Sequence, residues 1–384
     1  MVPNLPGNAR LVLAALRHGA SSITDLQRRT HLSQLTIRKH LETLAVSGLV
    51  VRAGLGPSNG GRQPRLYALV PDSRVVLAVH LRFPGASVAL VGLDGRVLSV
   101  RQMPADGRAD PSMVLERVAH EADALCRRTG TSVRVVGVGV ALPGYADLSR
   151  GVSLRIGRAP AWHDVPVAEI LGRRLRLPVV LIHDTAAMAL AEHEVGEAQA
   201  EQHFAFVLAE EGVSAGLFLQ GAIYQGTFGN AGLIGHMTIR PEGRPCYCGN
   251  TGCVESYASL SALSERAAEL VTGDGPRPTA ETVIGLALNG QEPYRTVLVD
   301  ALETLGVAIA NLAKVLEVHT VFVGGYPAGL PDGMRAHVVD VTRAHLQPPL
   351  RTRFTVRYSR VHEAALVGAA VPVIRQFLGV TVSA

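Results

Sequence analysis

The chain is poor in cysteine, with four among 384 residues. That excludes the dense disulfide framework of a small secreted domain. It also lacks long apolar runs: no uninterrupted stretch reaches the roughly 18–20 residues a membrane span needs. The opening "MVPNLPGNARLVLAALRHG" has no basic region ahead of a long apolar core, so no signal peptide is read there. Charge is sparse too, at 18% against 47% apolar residues, a balance that excludes a mainly disordered chain. These absences favour a soluble, cytoplasmic protein with no membrane partner. At 384 residues the chain is too long for one core, and two to three domains are expected.

The charge that is present is unevenly placed. Residues 1–70 carry Arg10, Arg17, Arg28, Arg29, Arg38, Lys39, Arg52, Arg62 and Arg65 against Asp25 and Glu42. This surplus of seven leaves the other 314 residues at −2 of the overall +5. A basic head on a near-neutral body suggests a polyanionic partner for the head alone; a solvated basic face is the plainer alternative.

Local patterning sharpens the first reading. Leu11, Leu13, Ala14 and Leu16 mark an amphipathic helix stopped by Gly19, and Ser22 can cap a second helix running to about Arg29. After the turn "THLS", Ser33 can cap a third, "QLTIRKHLETLAVSG", with Leu35, Ile37, Leu41, Leu44 and Val46 expected on its buried face. Gln34, Thr36, Arg38, Lys39 and His40 give that helix a polar, basic first half. Helix, tight turn and such a helix form a helix-turn-helix, whose second member fits a major groove. "LVVRAGLGPSNGGRQPRLYALV" follows as strand, glycine-rich loop and strand, a wing kept slim by Gly60, Gly61 and Pro64. Arg62 and Arg65 make the wing cationic. A three-helix domain that binds protein is the competing reading.

Pro71 and Asp72 mark a boundary. Beyond it, "RVVLAVHL", "ASVALVGL" and "RVLSVRQM" read as strands, followed by a helix over Pro111–Arg128 and the strand "VRVVGVGVAL". A looser recurrence, with strands at Phe204–Leu208, Ala215–Leu219 and Thr320–Gly325, argues for an α/β body in two lobes.

Three of the four cysteines fall in "GHMTIRPEGRPCYCGNTGCVE". His236, Cys246, Cys248 and Cys253 offer one imidazole and three thiolates, a tetrahedral set suited to zinc. A redox pair would usually be C-x-x-C at a helix start, which is absent here, and three buried core thiols are at odds with so polar a loop. Four protein ligands leave no open position, so the expected zinc is structural.

With these motifs in hand, the chain resembles the ROK family of repressors, open reading frames and sugar kinases over nearly its whole length. "GLIGH" at 232–236, "CYCGNTGCVE" at 246–255 and "GGRQPRLYAL" in the wing carry the resemblance most specifically. "VGVGVALPG" at 136–144, "HDTAAMALAE" at 183–192 and "VFVGG" at 321–325 follow in family order. The resemblance implies a two-lobed, ribonuclease-H-like body of the actin and sugar-kinase type. It further implies a winged head over 1–72, a first lobe over 73–184 completed by 362–384, and a second lobe over 185–361. Family members with such a head are transcription regulators, most often of carbohydrate genes; members without one are commonly sugar kinases. Asp184 matches the kinases' general base, and His236 and Glu255 match residues that hold the sugar. Asp184 as a plain helix cap and Glu255 as an ordinary first-turn carboxylate are the alternatives.

Departures from the family pattern decide between the two classes. The kinases' D-x-G-x-T reads "VHLRFPG" here, with His80 for the aspartate and Arg82 for a glycine. Their T-G-x-G-x-G reads "EGVSAG", so Glu211 sets a negative charge where phosphate would lie. The expectation is therefore a regulator and not an enzyme, with Asp184 vestigial. Its partners would be an operator in double-stranded DNA, read by Gln34, Thr36, Arg38, Lys39, Arg62 and Arg65, and a second copy of itself, as homodimer or tetramer. A sugar kinase with an accessory head, and a DNA-binding regulator without an effector, are the alternatives. Arg158, His183 and the loss of a glutamate at Leu233 turn the ligand site formed with Asp184, His236 and Glu255 from neutral sugars toward an anionic sugar derivative.

Overall fold

The computed structural model describes residues 5–17, 19–57, 63–128, 134–270 and 276–379. Gly60, Gly61 and Arg62 of the expected wing lie outside them.

The head begins with the helix Gly7–Leu16, and Ser22 then starts the helix Ile23–Thr30 through a reciprocal capping box with Asp25. Hydrogen bonds from the Ser22 side chain and backbone, and from Arg28, hold Asp25 down at about 2. His31 in the left-handed conformation closes this helix, and Ser33 Oγ accepts from the Thr36 amide at 3.2 Å to open the helix Gln34–Val46. Val12, Leu13, Leu16, Leu26, Ile37, Leu41 and Leu44 are buried. Leu35 and Val46 do not join them: they are 79% and 92% exposed. The cause is phase. The buried stripe steps Ile37, Leu41, Leu44, and a residue two positions off either end points about 200° away. Leu11, likewise, is exposed beside the buried pair Val12 and Leu13. Strands Val50–Leu55 and Arg65–Leu69 pair antiparallel, and Gly56 donates to Pro64 O at 2.8 Å near the root of the hairpin.

By its internal packing the chain divides into two units, Met1–Ala187 with Glu363–Ala384, and Met188–His362. The first unit contains the head and a five-stranded mixed sheet in the order Val179–His183, Arg134–Leu142, Arg74–Leu81, Gly85–Gly92, Val97–Pro104. The helix Pro111–Arg128 buries Val114, Leu115, Val118 and Ala122 in the core on this sheet. The helix Ala364–Leu378 also packs on the sheet, where a side chain on Gly139 would come within 1.9 Å of Ala369 O. Only a glycine lets the backbones approach this closely. Arg17 Nε donates to Leu93 O at 2.8 Å and Arg74 donates to Ser47 O, tying the head to the sheet.

In the second unit the order is Ala222–Ile223, Val213–Leu219, Phe204–Ala209, Thr320–Gly325, Thr355–Tyr358. Both sheets thus run third, second, first, fourth, fifth in chain order, with antiparallel pairs on one side of the first strand and parallel pairs on the other. This is the α/β, ribonuclease-H-like pattern expected, present once in each unit. The 23-residue helix Tyr294–Leu316 is long and apolar enough to cross a membrane, yet its Val297, Leu298, Ala301, Leu302, Leu305 and Ile309 lie in the second unit's core.

Candidate functional site

The metal-ligand cluster is assembled by backbone constraints. Gly235 lies so close to Val213 O that a Cβ would sit 2.2 Å from it, which pins the short helical turn Ile234–His236 against the strand Val213–Leu219. The cysteine loop folds back through Cys246 N–H to Asn250 O at 2.8 Å and Ile239 N–H to Gly252 O at 2.8 Å. Gly252, at φ +72°, has no room for a side chain, since a Cβ there would lie 1.6 Å from Arg240 O. Arg240 is held in turn by both oxygens of Asp300, at 2.6 and 3.3 Å, and lies over the Tyr257 ring at 4.3 Å. Arg266 reaches Asp300 Oδ2 at 2.6 Å, and the Arg244 amide donates to Tyr257 Oη at 2.8 Å. The loop is therefore braced from the core side by an Arg–Asp–Arg bracket.

Within it, the ligand atoms of His236, Cys246, Cys248 and Cys253 all lie within 4.8 Å of one another. Cys248 Sγ and Cys253 Sγ are 3.8 Å apart, and Cys246 Sγ and His236 Nδ1 are 3.7 Å apart. A tetrahedral ion with sulfur at ~2.3 Å and nitrogen at ~2.0–2.1 Å calls for S···S near ~3.8 Å and S···N near ~3.6 Å. The donor set fits such an ion. Burial pushes the Cys253 thiol up to about 12, and its sulfur neighbours add to that; a dication among the four would reverse the effect. Tyr247 Oη lies 3.3 Å from His236 Nε2, on the ring edge away from the sulfurs.

Glu255, two residues past Cys253, is buried, and its Oε2 accepts the Val213 N–H at 2.9 Å. It is a first-turn carboxylate of the helix Glu255–Ala258, buried and engaged with the backbone. It occupies the one amide hydrogen of Val213, the first residue of the strand Val213–Leu219.

Asp184 opens the helix Asp184–Val195 directly after the strand Val179–His183. Its Oδ1 accepts the Thr185 amide at 2.7 Å, a capping contact, and lies 3.1 Å from His183 Nδ1. His183 Nδ1 is also 3.0 Å from Thr185 Oγ1. Burial alone would neutralise both groups. The Asp184 carboxylate outweighs it and holds His183 above the usual imidazole range, while His183, with His80 adding, holds Asp184 below the usual carboxylate range. His80 differs: burial pushes it down to about 4 although Asp184 attracts its proton. His80 is thus held neutral beside an Asp184 that is held ionised. Arg158 is exposed between the strands Val152–Ile156 and Ala159–Val165, whereas Trp162 is buried and tilted against Phe83 at 5.2 Å. Arg158, His183 and Asp184 belong to the first unit, His236 and Glu255 to the second.

On the third helix of the head, Arg38 and Lys39 are exposed, as is Arg65 at the start of its strand. Gln34 Nε2 donates to Gln27 Oε1 at 3.1 Å, and Thr36 Oγ1 lies 2.9 Å from the capping Ser33 Oγ. Sequence reasoning missed the outward Leu35, although the Ile37, Leu41, Leu44 spacing carried the signal.

The model of the ROK family matches residues 84–376. Among curated relatives, the DNA-binding transcriptional dual regulator NagC of Escherichia coli is 25% identical over 94% of this chain and 90% of its own. The xylose repressor of Caldicellulosiruptor bescii is 25% identical over 79% of this chain and 78% of its own. The crystal structure of a ROK family transcriptional regulator, a homolog of the E. coli MLC protein, superposes with a TM-score of 0.80 at 25% identity. It covers 97% of this chain and 96% of its own, head included. A ROK hexokinase from Thermus thermophilus matches at 28% identity and TM-score 0.65, over 77% of this chain and 97% of its own. Nearly the whole match to that regulator, the two sheets of one topology and the His–Cys cluster lead to one statement: the chain belongs to the ROK family.

Proposed function

We propose that this protein is a DNA-binding transcription regulator of carbohydrate genes, acting as a repressor in the cytoplasm. The observation that carries the reading is the capped helix Gln34–Val46, with Arg38 and Lys39 exposed, on the same chain as a ROK body. The likeness to the MLC homolog over 97% of the chain supports it. Gln34, Thr36, Arg38 and Lys39 on the helix and Arg62 and Arg65 on the wing are assigned to DNA. The head spans 1–72, the first lobe 73–184 with 362–384, and the second lobe 185–361.

The ion for His236, Cys246, Cys248 and Cys253 is zinc, with a structural role, since thiolate-rich tetrahedral sites of four protein ligands suit it and leave no open position. When bound, zinc supplies charge that keeps the three thiols deprotonated. The ligand residues are Arg158, His183, Asp184, His236 and Glu255, and the favoured ligand is a sugar carrying an anionic group.

A sugar-kinase activity is the second reading, favoured by the likeness to ROK hexokinase. His80 in place of an aspartate on the first body strand, the bulk of Arg82 in place of a glycine just past it, Glu211, and a Val213 amide already donated to Glu255 all count against a working nucleotide site. Genome-wide mapping of bound sites tests the first reading: binding upstream of sugar-uptake or sugar-catabolic genes is expected, and no enriched site would overturn it. ADP release with a panel of hexoses tests the second, with no turnover above background expected.

A further inference from the structure

We infer that Leu35 is a base-reading residue that recognises the C5-methyl group of a thymine in the major groove. The inference rests on the DNA-binding reading of the head and deepens it. Leu35 lies in the first turn of the helix Gln34–Val46, two residues past the Ser33 cap, and 79% of its surface is exposed. Helical phase puts it on one stripe with Arg38, Lys39 and Glu42, at spacings of three, four and seven, opposite the buried Ile37, Leu41 and Leu44. An apolar side chain is thus held in water beside two cations, at the end of the helix that reaches base edges. Phosphates have nothing to offer it. The one apolar group that B-DNA displays in the major groove is the thymine methyl.

The neighbouring side chains support this placement. Gln34 Nε2 is engaged with Gln27 Oε1 at 3.1 Å, across the turn to the preceding helix. Thr36 Oγ1 lies 2.9 Å from Ser33 Oγ within the cap. Gln34 and Thr36 therefore have partners inside the head, and sequence reading falls to Leu35 and Arg38. Arg38, one turn on, has the donors for a guanine edge. The pair predicts a half-site in which a required thymine lies near a required guanine.

The test uses the full chain and DNA alone. A random duplex pool is selected on the wild type, and each thymine of the enriched site is then replaced singly by deoxyuridine, which removes the methyl and keeps every hydrogen-bonding group. One position per half-site should lose about fourfold in affinity, the worth of one methylene-sized apolar group at ~0.8 kcal/mol. Leu35→Ala should bind the thymine and uridine duplexes equally, and Leu35→Gln, reselected, should change the base preferred at that position alone. A wild type indifferent to uridine everywhere, or a penalty that persists in Leu35→Ala, overturns the inference. If the wild type enriches no sequence at all, the DNA-binding reading falls first and this one with it.

Discussion

His80 and His183 both approach Asp184 electrostatically, yet burial and charge push them in opposite directions, and the two can be separated by pH. His80 is down at about 4 when folded against 6.5 when free. Between those values the unfolded chain takes up a proton that the folded chain refuses, so this residue makes stability fall as pH drops from 6.5 toward 4. The full effect is on the order of 3 kcal/mol. His183 has the opposite sign: its raised value contributes stability that is complete below the free imidazole's range and is lost as pH rises through the folded value. Urea midpoints measured from pH 4 to 8 should therefore fall less on the acid side in His80→Gln, and should lose a decline on the alkaline side in His183→Gln. Curves parallel to wild type in both variants would show that neither ring is held as described. Only half of this arrangement is legible in the chain. His183-Asp184 reads as an adjacent pair, but the burial that tunes His80 depends on its strand pairing with Ala141, some sixty positions on.

At the scale of elements, local signals served best where the chemistry is local. Ser22, Ser33 and the turn between them were readable because a hydroxyl cap acts within three residues, and the strands Arg74–Leu81 and Thr320–Gly325 because buried strands are plain apolar runs. Leu35 and Val46 are apolar by type but out of phase with the buried stripe, and phase decides which face of a helix is buried. Two variants of one turn display the difference. Ser33→Ala should cost the head about 1 kcal/mol through the lost cap. Leu35→Ala, already in water, should change thermal stability by less than about 0.5 kcal/mol. An equal loss in both would mean that Leu35 is packed in solution. The cysteine loop was legible as a ligand set from spacing alone, but its support was not: Asp300 and Arg266 come from helices well along the chain. Cys248→Ser should abolish zinc near one equivalent per chain and lower the stability of the second unit, while operator binding by the head persists. Metal analysis of the wild type that finds no zinc removes the assignment.

For the whole molecule, two sheets of the same strand order close by different routes. The second unit is built from one continuous stretch of chain, whereas the first borrows Ala364–Leu378 from beyond it. Gly139 is where this loan is most exacting. Gly139→Ala would set a methyl against Ala369 O, and since neither is the end of a flexible side chain the helix must move. Soluble expression should drop sharply, with whatever remains showing early proteolysis between residues 363 and 379; a normally folded variant would refute the close approach. The same contact sets an order of events during synthesis. Once the strand Arg134–Leu142 has been made, the 175 residues of Met188–His362 must be translated before its covering helix exists. At roughly 5–20 residues per second that is on the order of ten seconds or more. For that interval the sheet face that Ala364–Leu378 covers is bare, and the head's first helix, which also packs on Ala364–Leu378, lacks that partner. A nascent chain should therefore pass through a stage in which an apolar sheet face waits, uncovered, for the last helix to be made, the kind of exposed surface that invites aggregation.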